Sequence, residues 1–244
     1  MHAAVLLLLT SLSDTAADQP PRDIAKRITQ RESASEKERG NYIYRQSVTL
    51  LEYGERNRSG GEYHEVREVI FSPDGERTER VAGAASNTLK RLQLTPEDFA
   101  DIRDIQPMML TEDRMPLYQF TPKGEETIEG TPSWVLQVRP RQILYGMRLF
   151  EGNIWVDKAD YSILRSEGRA VPQVRSTIPG KENLFPYFTT VRGKIGQFWF
   201  PVLTEGADTL DFSTGPIRMK LSIRYRDYKR FGAESTIKPG GDDK

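Results

Sequence analysis

Two histidines, 35 acidic side chains and no cysteine are what this chain of 244 residues offers for chemistry. The missing thiol removes cysteine nucleophiles, thiolate metal sites and disulfides together. His2 lies in the leader. His64 lies between Tyr63 and Glu65 in an alternating stretch, and no serine sits in a sharp strand-to-helix elbow, so a serine-histidine-acid triad lacks its parts. Glu205, Asp208, Asp211 and Asp227 fall in no loop of calcium-binding type. Glu151, Asp157 and Glu167 flank strand ends, as the paired carboxylates of a glycan hydrolase do. Asp157-Lys158-Ala159-Asp160, however, reads as a turn in which Asp157 bonds its own following backbone. Gly193-Lys194-Ile195-Gly196 is hairpin chemistry, since no helix follows it to cradle a phosphate. These residues imply no catalytic group, no metal and no cofactor.

The elements that must position any site are mostly strands. A chain of this length holds one large β domain or two small ones, and 37% hydrophobic residues suffice for a core. Basic and acidic residues number 35 each, so no global field draws the chain to nucleic acid or to an anionic membrane. Val5-Leu6-Leu7-Leu8-Leu9, followed by Thr15-x-Ala17, reads as an export signal over residues 1–17, too short to span a bilayer. Only His2 stands where a basic region is usual. The mature chain is expected to start near Asp18, soluble in the periplasm or secreted, with residues 18–237 as a single β domain and 238–244 as a flexible charged tail. Residues 171–183 are expected to be mobile as well.

Ile24 and Ile28, spaced by four, place a helix in residues 22–40, ended by Gly40. Strands are expected at residues 42–51, 63–71, 77–81, 117–121, 133–139, 152–157, 161–168, 186–195, 197–203 and 217–231, with turn chemistry between them. One further helix is signalled at residues 95–102: Thr95 caps, Pro96 fits the first turn, and Glu97 and Asp98 suit the positive end of the dipole. In the last strand Ile217, Met219, Leu221, Ile223 and Tyr225 alternate with Arg218, Lys220, Arg224 and Arg226, a strict period of two that turns one row inward and the other to water. The fold class is therefore mainly β (α+β): a large curved antiparallel sheet or incomplete β-barrel, with an N-terminal helix and one inserted helix.

Such a sheet has more apolar face than its helices can cover, which calls for a second packed layer or a hydrophobic cavity. Trp134, Leu136, Phe198, Phe200, Met219, Leu221 and Ile223 are the candidate ligand-lining residues. The basic row Arg218, Lys220, Arg224 and Arg226 has two readings: edge protection and solubility, or a docking surface for an acidic partner or lipid headgroups.

The order of elements, together with Phe150-Glu151-Gly152-Asn153-Ile154-Trp155-Val156-Asp157-Lys158-Ala159-Asp160-Tyr161-Ser162-Ile163, resembles the bacterial periplasmic lipoprotein-sorting class, the LolA/LolB-like superfamily. The closing Tyr225-Arg226-Asp227-Tyr228-Lys229-Arg230-Phe231 also resembles the last strand of secreted relatives of that class. The resemblance spans residues 20–231 and implies an incomplete antiparallel barrel around a helix-lidded cavity that carries the acyl chains of lipoproteins. The family's lid-latching arginine has no matched position here. Three classes of function follow: a periplasmic carrier or sensor for a lipid or lipoprotein acyl chain, an envelope protein-interaction module using a sheet edge or the basic row, and a carboxylate-dependent glycan hydrolase.

Overall fold

The computed structural model describes residues 19–54, 59–72, 76–173, 184, 186–212 and 214–231. The expected leader and tail, the turn positions 55–58 and 73–75, and most of the segment expected to be mobile lie outside the described residues. After α1 (Ile24–Arg39) come β1 (Tyr42–Tyr53), β2 (Ser59–Phe71), β3 (Arg77–Val81) and β4 (Ser86–Asn87). Then come α2 (Pro96–Ala100), β5 (Tyr118–Ile128), β6 (Thr131–Pro140), β7 (Leu149–Asp157), β8 (Ile163–Val171), β9 (Phe188–Ile195), β10 (Phe198–Phe212) and β11 (Gly215–Arg230). All pair antiparallel in one 11-stranded sheet of order β3-β2-β1-β11-β10-β9-β8-β7-β6-β5, with β4 beside β2. The ends, β3 and β5, are not joined, so the curved sheet is an unclosed barrel.

The alternation seen in the last strand holds: Ile217, Met219, Leu221, Ile223 and Tyr225 are buried, and Arg218, Lys220, Arg224 and Arg226 are exposed. β11, however, is not an edge. It lies between β1 and β10, with Arg224 opposite Ser47 on one side and Leu203 on the other, so edge protection is not what the basic row provides. The true edges are blunted by other means. β3 is short and carries Arg77, Glu79 and Arg80, while β5 carries Pro122, a bulge between Pro122 and Gly124, and a mostly exposed run of charged residues. That bulge also lets β5 run on well past the expected Thr121.

The motif Gly152-x-Ile154-Trp155-Val156 has a packing cause. Gly152 and Gly168 face each other across β7 and β8, and a Cβ on either would stand 2.6–2.8 Å from the Phe150 ring. The glycine pair is the seat of that fully buried phenyl group. Ile154 and Val156 point inward, and Trp155 points outward, where its indole N–H donates to Glu126.

Two apolar clusters fill the concave side. One gathers Ile24 and Ile28 of α1 with Trp134, Leu136, Phe150, Ile154, Ile163 and Phe188 on β6 to β9. The other gathers Val48, Leu50, Tyr63, Val69, Met219, Leu221, Ile223 and Tyr225 on β1, β2 and β11 with Leu92 and Ile102. Between them runs a polar seam. Thr190 donates to the main-chain oxygen of Gln106 and lies 2.7 Å from the Thr204 hydroxyl, while Arg192 on β9 holds Glu32 of α1 at 2.7 Å with both side chains 1% exposed. Arg192 also donates to the carbonyl of Met108, so one guanidinium ties the helix, the chain entering β5 and the sheet together.

The candidate site beneath the inserted helix

The second cluster is covered by residues 89–106, and the local sequence explains the shape of that cover. Thr95 caps α2 by accepting from the Asp98 N–H, Asp98 reaches back to the Thr95 N–H at 2.7 Å, and Pro96 occupies the first turn. The α-helical part is only five residues long; it passes into a π-helical turn over Asp101–Ile105, a wider winding than the regular helix expected to reach residue 102. Ile102 and the half-buried Leu94 and Phe99 are its apolar contacts with the sheet. Phe99 sits edge-on to Tyr63 at 6.1 Å and beneath the Arg67 guanidinium at 5.2 Å.

Most of what fastens the cover is polar. The buried Glu52 of β1 accepts from the N–H groups of Arg91 and Leu92, and the Arg91 guanidinium reaches the carbonyls of Thr214, Gly215 and Pro216. Gln46 and Arg77 donate to the carbonyls of Ile102 and Arg103 at 3.4 and 3.1 Å. Asp101 accepts from Nε and Nη2 of Arg148, which stands just before β7 and donates from Nη1 to the Pro172 carbonyl at 2.6 Å. Asp98, besides capping its own helix, accepts from the Leu184 N–H and so holds that residue, ahead of β9, against the cover.

Beneath this cover lies a cavity of about 10 Å³, the room of one water molecule. Val48, Leu50, Tyr63, Met219 and Leu221 form its floor, and Asp98, Asp101 and Gln106 stand in its roof. The Gln106 side-chain oxygen is buried and has no hydrogen-bond partner among the described residues. Burial pushes the Asp98 carboxyl up to about 6, overcoming the hydrogen bonds from Thr95 and Leu184 that favour its charged form. Burial raises Asp101 too, against the pull of Arg148. Tyr63 is pushed up to about 12 by burial and by the Glu65 carboxylate that its hydroxyl donates to.

Three of the seven candidate lining residues share this place: Met219 and Leu221 on the cavity wall and Ile223 in the same cluster. Trp134 and Leu136 belong to the other cluster, beneath α1, where Trp134 stacks on Tyr161 at 5.9 Å. Phe198 and Phe200 stack on each other at 6.4 Å at the start of β10. There Phe200 meets Tyr42 and Tyr228, and the Arg31 guanidinium lies over Phe198. The residues expected to share one lining are thus spread over the covered face, the cluster beneath α1 and the aromatic group at the start of β10.

The carboxylates weighed for hydrolysis are engaged elsewhere. Glu151 lies 3.5 Å from both Arg139 and Arg169, and Glu167 pairs with Arg165 at 2.7 Å. Asp157 accepts from the Ala159 N–H at 2.8 Å, the turn its spacing predicts. His64 bonds the Thr49 hydroxyl across the β1–β2 pair. Among the described residues no group of three or more histidine, aspartate or glutamate side chains could hold a metal ion.

Neither family models nor curated proteins match the chain. Solved structures do. An outer membrane lipoprotein-sorting protein domain from Vibrio parahaemolyticus is 12% identical, with a TM-score of 0.39 over 87% of this chain and 95% of that one. A LolA superfamily protein from Nitrosomonas europaea is also 12% identical, with a TM-score of 0.37 over 86% and 94%. The MucA/MucB complex of Pseudomonas aeruginosa gives 14% identity and a TM-score of 0.23 over 84% and 94%. All three likenesses are distant. No described helix is long and apolar enough to cross a membrane.

Sequence reasoning passed over the residues that fasten the cover. Asp98 carries a visible signal, since Thr95-Pro96-Glu97-Asp98 is a capping sequence, but its burial depends on a Leu184 that is distant in sequence. Arg192, Glu32, Glu52 and Arg148 look like ordinary alternating or loop charges, and only the topology shows them buried or facing a buried carboxylate.

Proposed function

We propose that the protein is a non-enzymatic periplasmic carrier or sensor that takes up an acyl chain between the inserted helix and the apolar face of β1, β2 and β11. The observation that carries this reading is the contrast between floor and fastening. Val48, Leu50, Met219 and Leu221 present a continuous apolar surface, while the cover above them is held largely by hydrogen bonds to charged groups and main-chain carbonyls. Hydrogen bonds to charged groups contribute about 1.5–3 kcal/mol each net of solvation, far less than in an apolar medium, because water can replace each of them as the cover lifts. The cavity of about 10 Å³ is too small for an acyl chain, so uptake requires that movement. Each methylene then buried contributes about 0.8 kcal/mol, enough for micromolar affinity from half an acyl chain after the cost of association.

The test is titration of the purified protein with a fluorescent fatty acid, with solvent extraction of the preparation for bound lipid. Saturable binding is expected, and Leu221→Glu should abolish it while circular dichroism shows the sheet intact. A folded wild type that neither saturates nor yields lipid disposes of the carrier reading.

A further inference from the structure

A second surface stands apart from the covered face. Between β6 and β7, Ile143 and Leu144 are 48% and 47% exposed and Tyr145 is fully exposed, three consecutive large apolar side chains at the tip of a short loop. The tip turns through the Met147 N–H bonded to the Leu144 carbonyl and through Gly146 at φ +78°, a conformation that suits glycine. Its base is pinned on both sides: the Arg141 N–H bonds the Leu117 carbonyl, and the Arg148 side chain holds Asp101 and the Pro172 carbonyl. A loop anchored in this way projects its apolar side chains instead of folding them back. Residues 131–150 contain Arg139, Arg141 and Arg148 and no acidic residue. The nearby Glu151 is engaged by Arg139 and Arg169.

We infer that this loop is a docking tip for an anionic lipid bilayer, with Ile143, Leu144 and Tyr145 entering the interfacial layer and Arg141 contacting lipid phosphates. Three side chains are far too little for a stable protein interface, which needs about 800 Å² from each partner. A bilayer surface accepts a small apolar insertion flanked by cations, and a phenol prefers that interfacial depth. Anionic lipid attracts each arginine near its surface only modestly, which makes the contact reversible and dependent on salt. Because Arg148 joins the loop to Asp101, the docked tip brings the edge of the cover beside the lipid surface.

Sedimentation with phosphatidylcholine vesicles, with and without added phosphatidylglycerol, tests the inference. The wild type should partition to the mixed vesicles and be released by salt. The Leu144→Ser/Tyr145→Ser double variant should lose at least tenfold in partitioning, and Arg141→Glu should weaken binding to the anionic vesicles alone. Val81→Ser, at another exposed apolar position, should change nothing. A wild type that stays in the supernatant overturns the inference, as does a double variant that binds like the wild type. Fatty-acid titration without vesicles reads the covered face separately, so failure of one proposal leaves the other measurable.

Discussion

The half of the molecule beneath α1 and the half beneath α2 use the same sheet but are closed by different means. Under α1, Ile24 and Ile28 join a cluster of branched and aromatic side chains, and the charged contact at its margin is fully buried, with Arg192 Nη1 donating to both carboxylate oxygens of Glu32. Under α2, a five-residue helix and a π-helical turn set Phe99 and Ile102 on the sheet behind Leu92 and Leu94, and many separate polar ties, spread over the cover, do much of the fastening. The difference teaches where the molecule can open. Breaking a packed apolar cluster exposes area to water with no compensation, whereas polar ties can be replaced by solvent one at a time.

The largest effect is expected at the joint between the halves. Arg192→Ala leaves Glu32 buried and unpaired, which costs about 3–5 kcal/mol and is read as a lower urea midpoint. An Arg192→Met/Glu32→Leu pair should recover much of that loss; if it does not, the seam is doing more than pairing charge. Next comes a comparison of truncations. Leu136→Ala in the packed half should cost about 2–5 kcal/mol, and Leu221→Ala should fall at the low end of that range because its surroundings already include an unfilled space. Equal losses in chemical denaturation would erase the distinction between the halves.

A third test uses acidity. Asp98 titrates near 6 in the folded chain against an ordinary value of 3.8, so the folded state binds the proton more tightly than the unfolded one. Its contribution to stability is therefore fully present below about pH 4 and lost as pH rises through about 6, a change of at most about 3 kcal/mol. Asp98→Asn, neutral throughout, should remove this pH dependence, and it should be less stable than the wild type near pH 4 because an amide nitrogen cannot accept from the Thr95 or Leu184 N–H as a carboxyl oxygen does. Amide exchange in residues 96–105 should rise with pH in the wild type, beyond its intrinsic pH dependence, more than in the variant. The smallest effect is expected on the outer face: Arg224→Glu with Arg226→Glu should alter stability by less than about 0.5 kcal/mol, since both side chains are exposed on an interior strand. If that pair changes vesicle or partner binding at low salt, the outer row is a docking surface in its own right.

The architecture was legible because it rests on local signals. Alternation in the last strand, the turn at Asp157 and the capping sequence at Thr95 each depend on near neighbours, and each is found where its spacing puts it. The joint lining from Trp134 to Ile223 was not legible. Alternation tells which face a side chain takes but not which part of a curved sheet it reaches, and the polar residues that divide the interior come from α1, β9, β10 and the segment after α2. The place of β11 was hidden for the same reason: a C-terminal strand suggests an edge until its two partners are known.

Those partners set the order in which the chain can be completed. β1 and β2 can pair as soon as they are made, and so can the meander from β5 to β10, but only β11 connects the two. A chain in which β11 has not yet paired therefore carries two unfinished sheets, each with an unpaired row of backbone amides and carbonyls. Removing residues 215–230 leaves one chain with two partial sheets that lack their common strand, not a smaller copy of the protein.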